Sequence, residues 1–335
     1  MNILKNVNLG QYSSMGLGGN AKYLVEITNV EDIKDALSFA KDNNLNTLMI
    51  GGGNNLIFSD KGFDGLVLIN DIKGIEQIDE TSFKIGAGED WDEVVDYSVE
   101  KDLSGIECLS KIPGKMGSAP IQNIDAYGQE IKDTLISVEV YDLDNNEIKT
   151  LNNSECDFSY RNSIFKKNPG KYFVISITLK LHKEHMKPPF YESVNKYLTD
   201  NNINEYTPRN LRNAVSAIRL VKLPDPKLIK NCGSFFTNPI IDKELMDKLI
   251  SKYPEIPHWE EKDGRHKVSA AWLLESTGFK NYHDKNGMAT WKNQPLVVVN
   301  ENAKSINDLL EFKDLIVDKV KEKFDITLEM EPVLI

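Results

Sequence analysis

The sequence predicts an α+β fold of two domains, the first of them subdivided. Three observations carry that reading. At 335 residues the chain is longer than one hydrophobic core usually serves. Up to about residue 190 it alternates short strands with two helices, with turn residues between them. From about residue 206 the texture changes to longer helices. The expected division is a first domain over 1–190 parted near 70, a connecting loop and helix over 191–220, and a second domain over 221–335.

Taken in order, "AKYLVEI" is a strand, and "NVEDIKDALSFAKDNN" is an amphipathic helix with Ile33, Leu37 and Ala40 on one face. Asn29 is its N-cap, with Asp32 three residues on. "NTLMI" is a buried strand that runs straight into "GGGNNL", and "GLVLIN", "GIEQID" and "SFKIGAG" are further strands. "EDWDEVVDYSVEKD" is the second helix. "TLISVEVYDLDNNEIKTL" reads as strand, Asp-Asn-Asn turn and strand, and "KYFVISITLKL" as another strand. The polar stretch around Pro188-Pro189 is a linker with a short helix. Helices follow at "TPRNLRNAVSAIRLVK", with Pro208 in its first turn, and at "DKELMDKLISKY", "SAAWLLESTG" and "SINDLLEFKDLIVDKVKEKF".

Composition narrows the function. Apolar content of 40% and charged content of 27% are those of a soluble globular protein. Forty Lys and Arg against 51 Asp and Glu leave a net charge of −11. That balance argues against a nucleic-acid partner and still permits an anionic small molecule where basic residues gather. Cys108, Cys156 and Cys232 are widely spaced with no CxxC pair, so neither a disulfide framework nor a metal site is expected. No apolar run approaches a membrane span, and the N-terminal stretch lacks the apolar core of a secretion signal. A cytoplasmic monomer that uses no membrane is expected.

Four stretches bear on chemistry. "GLGGNA" formally matches a dinucleotide fingerprint, but no apolar strand precedes it and a strand follows, so it is a turn. In "MIGGGNNLIFSD", Gly51, Gly52 and Gly53 follow a buried strand and let backbone N–H groups approach an anion, with Asn54 and Asn55 next. A plain glycine-rich turn would look the same. "SKIPGKMGSAPIQNIDAYGQE" is a long segment without periodicity, too apolar for disorder, which usually marks a functional loop. Its Pro113, Gly114, Gly117, Ser118, Gln122, Asn123, Tyr127 and Gly128 would wrap a large flat cofactor, offering donors to ring edges and phosphates. In "NCGSFFTNP", Ser234 sits between Gly233 and two phenylalanines that must be covered. Its hydroxyl is expected in a dry place, either satisfied by backbone or ready to hand over a proton.

"GGGNNLIF", "IPGKMGSAPIQNIDAYGQE", "FSYRNSIFK", "KLPDPK", "NCGSFFTNP", "AAWLLE" and "LEMEP" stand in the order, and near the spacing, of the UDP-N-acetylenolpyruvoylglucosamine reductase (MurB) family. The chain resembles that family from about Ser14 to Ile335, and "FYESVNKYL" with "KLPDPK" looks like its longer, type I form. The resemblance implies a vanillyl-alcohol-oxidase-type FAD-binding domain of two subdomains and a C-terminal α+β substrate-binding domain, whose last strand carries Glu331. It implies that NADPH reduces bound FAD, which then delivers hydride to UDP-N-acetylglucosamine enolpyruvate, giving UDP-N-acetylmuramate for peptidoglycan synthesis. By position, Tyr160 and Arg161 look like the active-site pair, Ser234 like the proton donor and Glu331 like the catalytic carboxylate. The order Glu329-Met330-Glu331-Pro332 keeps Glu329 as the alternative. Tyr160, Tyr191, Lys222, Asn238 and Gln294 fall where the family binds its substrate. Two positions depart from the family pattern: Asp125 stands for its usual glycine, and Lys115 for a small or apolar residue. Aspartate tolerates a positive φ if position 125 requires one, and a lysine suits a phosphate-bearing cofactor.

The implied chemistry makes sense of these residues. Hydride arriving at C3 of the enolpyruvyl group leaves a carbanion at C2, conjugated with the carboxylate. Arg161 supplies a cation whose fork matches that carboxylate. Ser234 supplies the proton that C2 needs, with the phenylalanines excluding water. Glu331 must be protonated or held by a cation, or it would repel the substrate. Lys222 and the nearby Lys227 form a local basic cluster for the diphosphate. None of His182, His185, His258, His266 and His283 lies in a glycine-rich segment, so FAD is expected to bind noncovalently. An FAD-dependent oxidase of an alcohol or sugar lactone would need neither the Ser234 turn nor the diphosphate set. A UDP-sugar-binding regulator without flavin would be colourless.

Overall fold

The computed structural model describes residues 1–335. The chain forms two units, each assembled from separated segments. The first comprises Met1–Val7, Ala21–Gly52 and Asp64–Arg219, and the second Asn8–Asn20, Gly53–Phe63 and Leu220–Ile335.

The first unit contains two sheets. In one, the strands run in the order Ile3–Asn8, Asn20–Ile27, Phe63–Asn70 and Asn46–Ile50, the last two being parallel with Leu48 opposite Val67. The helix Val30–Asp42 starts where Asn29 accepts the Asp32 N–H through its side chain. Its buried face, Ile33, Ala36 and Ala40, packs against Val25, Ile27, Leu66 and Leu68. The other sheet is antiparallel throughout, in the order Glu147–Asn152, Leu135–Asp142, Tyr172–Lys180, Ser82–Gly86 and Ile75–Gln77. The helix Trp91–Glu100, capped by Asp90, buries Trp91, Val94, Val95 and Val99 in the same core as Phe83, Ile85, Val138 and Ile177. The expected linker holds the helix Glu192–Asp200, and the long helix Pro208–Lys222 follows. Buried Arg212 fastens that helix to the 91–100 helix, reaching Asp92 at 2.7 Å and Asp96 at 3.0 Å. Burial would raise the Asp92 carboxyl, but the Arg212 and Lys111 partners prevail and hold it at about 2.

The second unit has a three-stranded antiparallel sheet, Lys230–Ser234, Gln294–Asn300 and Met288–Trp291. A smaller sheet joins Ile240–Ile241, His266–Val268 and His258–Glu260. Helices Lys243–Lys252, Ala270–Ser276 and Ile306–Phe324 cover a core of Phe235, Phe236, Met246, Leu273, Phe312 and Phe324. Met15, Leu17 and Ile57, from far earlier in the chain, belong to that same core. Ser305 and Asp308 form a capping box at the start of the longest helix, and Asp60 also accepts its Ile306 N–H at 3.0 Å. Leu56–Ile57 pairs in parallel with Val333–Leu334. Glu331 lies in the bend just before that terminal strand.

Position 125 does not need a positive φ: Asp125–Ala126 is extended and pairs antiparallel with Gln129–Glu130. The left-handed residues are the two in the turn, Tyr127 at φ 47° and Gly128 at φ 88°. A two-residue hairpin turn of this hand demands positive φ at both central positions, so the demand falls two residues after Asp125.

Candidate functional site

In the first unit, the strand Asn46–Ile50 delivers Gly51 to the edge of a cavity of about 50 Å³, lined also by Asn70, Gly117, Ser118 and Tyr172. A side chain at Gly51 would bring a Cβ within 2.6 Å of Ser118 Oγ, and one at Gly117 within 2.8 Å of the Ala87 methyl. The 113–118 segment is laid along residues 87–91 by three backbone bonds, Gly117 N–H to Ala87 O, Met116 N–H to Glu89 O and Trp91 N–H to Gly114 O, of 2.8–3.0 Å. Lys115 lies beside Gly51 and shares Asp71 with Lys73, each at 3.5 Å. Pro113 and Gly52 face solvent, and Gln122 is half-buried.

Residues 121–130 are fastened to the turn that carries Tyr160 and Arg161. Ser163 Oγ donates to Ile121 O at 2.7 Å, and Asn123 Nδ2 donates to Glu130 at 2.9 Å and to Ser159 O at 3.4 Å. Asn123 is buried, and its Oδ1 has no protein partner. Tyr160 and Arg161 form a two-residue turn closed by reciprocal Ser159–Asn162 backbone bonds of 3.0 and 3.1 Å, with Arg161 at φ 51°. The exposed Tyr160 ring lies 5.2 Å from the Arg161 guanidinium carbon. Arg161 Nη1 donates to the Asp125 carboxylate. The Tyr127 and Tyr191 rings meet edge-on at 6.0 Å. Burial pushes the Tyr127 hydroxyl up, and the nearby Arg219 guanidinium partly offsets this. Sequence reasoning missed both partners, Asp125 for Arg161 and Arg219 for Tyr127, because each pair is remote in sequence.

In the second unit, Gly53 is buried at φ 66°, where a Cβ would overlap the Tyr12 carbonyl oxygen. The Ser14 N–H and hydroxyl donate at 3.3 Å to the carbonyls of Gly53 and Asn54. Asn55 Nδ2 donates to Glu331 O at 3.3 Å, and Val333 N–H donates to Asn55 O at 3.0 Å. The end of the glycine loop is thus stitched to the segment bearing the candidate carboxylate. Ser234 ends its strand at a bulge opened by Gly233 at φ 77°. Glu331 N–H donates to Phe235 O at 2.9 Å. Burial, and then the Glu331 carboxylate, push the Cys232 thiol up. Glu331 is half-buried, whereas Glu329 is exposed. Asn238 Oδ1 accepts the Ala270 N–H at 3.0 Å, Gln294 is half-buried, and Lys222 is exposed at its helix end.

The expectation of a dry Ser234 is corrected. Phe235 and Phe236 are fully buried, edge-on at 5.1 Å, yet Ser234 is exposed. Both rings turn into the core as the chain leaves the strand, so they lie beneath the hydroxyl instead of covering it.

The predicted residues fall into two groups, Arg161, Tyr160, Tyr191 and the 113–128 loop in the first unit, and Ser234, Glu331, Lys222, Asn238, Gln294 and residues 53–55 in the second. The close approach at Gly51 and the unpartnered buried acceptor on Asn123 fit the dinucleotide that the resemblance implies: a side chain would fill the first, and a ring N–H can satisfy the second.

Comparison with known proteins matches two segments of the chain to family models. The family model described as "FAD binding domain" matches residues 21–152, and "UDP-N-acetylenolpyruvoylglucosamine reductase, C-terminal domain" matches residues 225–335. The UDP-N-acetylenolpyruvoylglucosamine reductase of Pasteurella multocida is 38% identical, over 97% of this chain and 94% of that protein. That of Flavobacterium johnsoniae is 38% identical over 99% of both. The crystal structure of the Thermus caldophilus enzyme of that name has the same fold, with a TM-score of 0.69 at 23% identity over 100% of this chain and 99% of that one.

Proposed function

Since the chain belongs to the UDP-N-acetylenolpyruvoylglucosamine reductase family, it is an FAD-dependent oxidoreductase, and we propose how its residues divide the work. The reaction reduces UDP-N-acetylglucosamine enolpyruvate to UDP-N-acetylmuramate at the expense of NADPH. FAD, when bound, would carry the hydride between the two. Gly51 to Asn55 and the 113–128 loop would hold it, with the Gly51–Ser118 approach leaving backbone bare and Asn123 offering a buried acceptor. Arg161 binds the substrate carboxylate and stabilises the charge that grows on it. Ser234 donates the proton to C2. Glu331, whose N–H donates to Phe235 O, next to Ser234, and whose carboxylate acts on the Cys232 thiol, serves as the catalytic carboxylate in preference to exposed Glu329. That backbone bond is the observation that carries the reading. Tyr160, Tyr191, Lys222, Asn238 and Gln294 bind the remainder of the substrate. The oxidase alternative is not favoured, because residues 225–335 match a reductase C-terminal domain. We place the enzyme in the cytoplasm as a monomer; no helix is long and apolar enough to cross a membrane, and all three cysteines are buried free thiols.

The purified protein is expected to be yellow and to release its FAD on acid or heat denaturation, since no histidine lies in either glycine-rich segment. Flavin that stays with the precipitated chain contradicts noncovalent binding. A protein that takes up no flavin on reconstitution sinks the assignment.

Lys222→Ala should raise KM roughly tenfold while kcat falls less, because a cation on a remote diphosphate binds ground and transition states nearly alike. Steady-state kinetics with varied substrate reads this. An unchanged KM with a collapsed kcat would place Lys222 at the reacting centre.

A further inference from the structure

We propose that Asp125 is a positioning residue for this reaction: its carboxylate fixes the Arg161 guanidinium in the orientation that receives the substrate carboxylate. This rests on the reading of Arg161 given above. Three contacts join the loop of Asp125 to the turn of Arg161, and they act on different parts of the chain. Ser163 Oγ to Ile121 O and Asn123 Nδ2 to Ser159 O hold one backbone against the other. The Arg161–Asp125 pair acts on the functional side chain itself.

The backbone of Arg161 is already fixed by its two-residue turn and by Lys166 Nζ, which donates to its carbonyl at 3.0 Å. Its side chain is a different matter. Four rotatable bonds separate the guanidinium from that turn, and the Tyr160 ring beside it is exposed. A rigid backbone therefore does not by itself aim the fork. Asp125 is well placed to do so, because its own backbone is paired in the Asp125–Ala126 and Gln129–Glu130 hairpin and its side chain is short. The five N–H donors of a guanidinium lie in one plane, so a carboxylate anchored on Nη1 sets the direction of the rest.

An anion beside Arg161 also has the opposite tendency, since it weakens the pull of the cation on a second anion. Which effect wins depends on screening. The Arg161 side chain is 23% exposed and that of Asp125 36%. Solvent at this exposure damps the competition between charges, whereas removing the anchor takes away the direction that it gives the fork. Misplacing a positioning group by about 1 Å can cost as much as 10²-fold in rate.

The test uses the FAD-loaded full chain carrying Asp125→Ala, Asp125→Asn, Arg161→Ala and the Asp125→Ala/Arg161→Ala pair. NADPH should bleach the flavin band of Asp125→Ala at the parent rate. Recovery of that band on adding UDP-N-acetylglucosamine enolpyruvate should slow by roughly 10- to 100-fold. Calorimetry should show weaker binding of UDP-N-acetylmuramate, a readout free of turnover. Asp125→Asn should regain most of both losses, because its amide oxygen still accepts from Nη1. In the Arg161→Ala background, Asp125→Ala should add nothing further. Recovery within twofold of the parent in both Asp125 variants overturns the proposal. So does recovery faster than the parent, which would mark Asp125 as a competing anion, or an equal loss with and without Arg161. Unimpaired recovery and binding in Arg161→Ala alone would instead remove the role assigned to Arg161, whatever Asp125 does. If Asp125→Ala loses flavin or melts early, Asp125→Leu, of similar size and without an acceptor, decides by the same criterion: slowing by roughly 10- to 100-fold upholds the proposal and recovery within twofold overturns it.

Discussion

Ser234→Ala should separate the two halves of the catalytic cycle. NADPH should still bleach the flavin band at a near-parental rate, because that half needs no proton from Ser234. Recovery of the band on adding UDP-N-acetylglucosamine enolpyruvate should slow by roughly 10²- to 10⁴-fold, the range for losing a positioned proton donor. Ser234→Cys should recover part of the rate, because a thiol donates from nearly the same place. The exposure of Ser234 in the structure makes this test sharper than the sequence alone suggests. A hydroxyl open to solvent can be replaced by water, so any residual rate in Ser234→Ala should carry a solvent isotope effect. Stopped-flow absorbance follows each half. Equal slowing of both makes the serine structural; slowing of neither makes it a bystander.

Gly53→Ala should cost about 2–5 kcal/mol of stability, combining a left-handed backbone that disfavours any side chain with overpacking against a backbone atom. The obstacle is the Tyr12 carbonyl oxygen, which cannot swing aside as a side chain could. Thermal unfolding should fall by roughly 5–20 °C. Gly170→Ala is the control, with φ 80° and nothing within 4 Å of its Cβ, so it bears only the backbone cost of about 1–2 kcal/mol. Equal losses in the two variants would mean that the Tyr12 contact carries no weight.

Local order was legible in the sequence where its causes are local. Asn29 ahead of a 3.6-residue pattern gave the first helix its start, and Pro208 the start of the 208–222 helix. Strands with turn residues between them were equally readable, as at Leu135–Asp142 and Glu147–Asn152. The Asp125–Ala126 and Gln129–Glu130 hairpin was lost inside a loop without periodicity, since two-residue strands have no period to detect. At the site, the motifs supplied the residue types, but exposure and partners were hidden. Ser234 looked dry because two phenylalanines follow it, and only the bulge at Gly233 shows that both rings turn inward. Asp125 looked like a tolerated backbone substitution, and only the fold brings its carboxylate to Arg161, 36 residues away.

The interleaving of segments in the second unit has a consequence for biosynthesis. Leu56 and Ile57 take Val333 and Leu334 as strand partners, and the Asn55 side chain takes a carbonyl 276 residues later. At a synthesis rate of about 5–20 residues per second, that stretch leaves the ribosome with its partners missing for roughly 15 to 55 s. Meanwhile Met15, Leu17 and Ile57, all destined for a core built mostly from residues beyond 230, have nowhere native to go. The nascent chain therefore carries two apolar segments without native partners until translation reaches the far segment. The same pairing makes residues 333–335 a poor place to cut or shorten the chain, because Ile335 both donates to Ile57 O and accepts from Ser59 N–H at 2.9 Å.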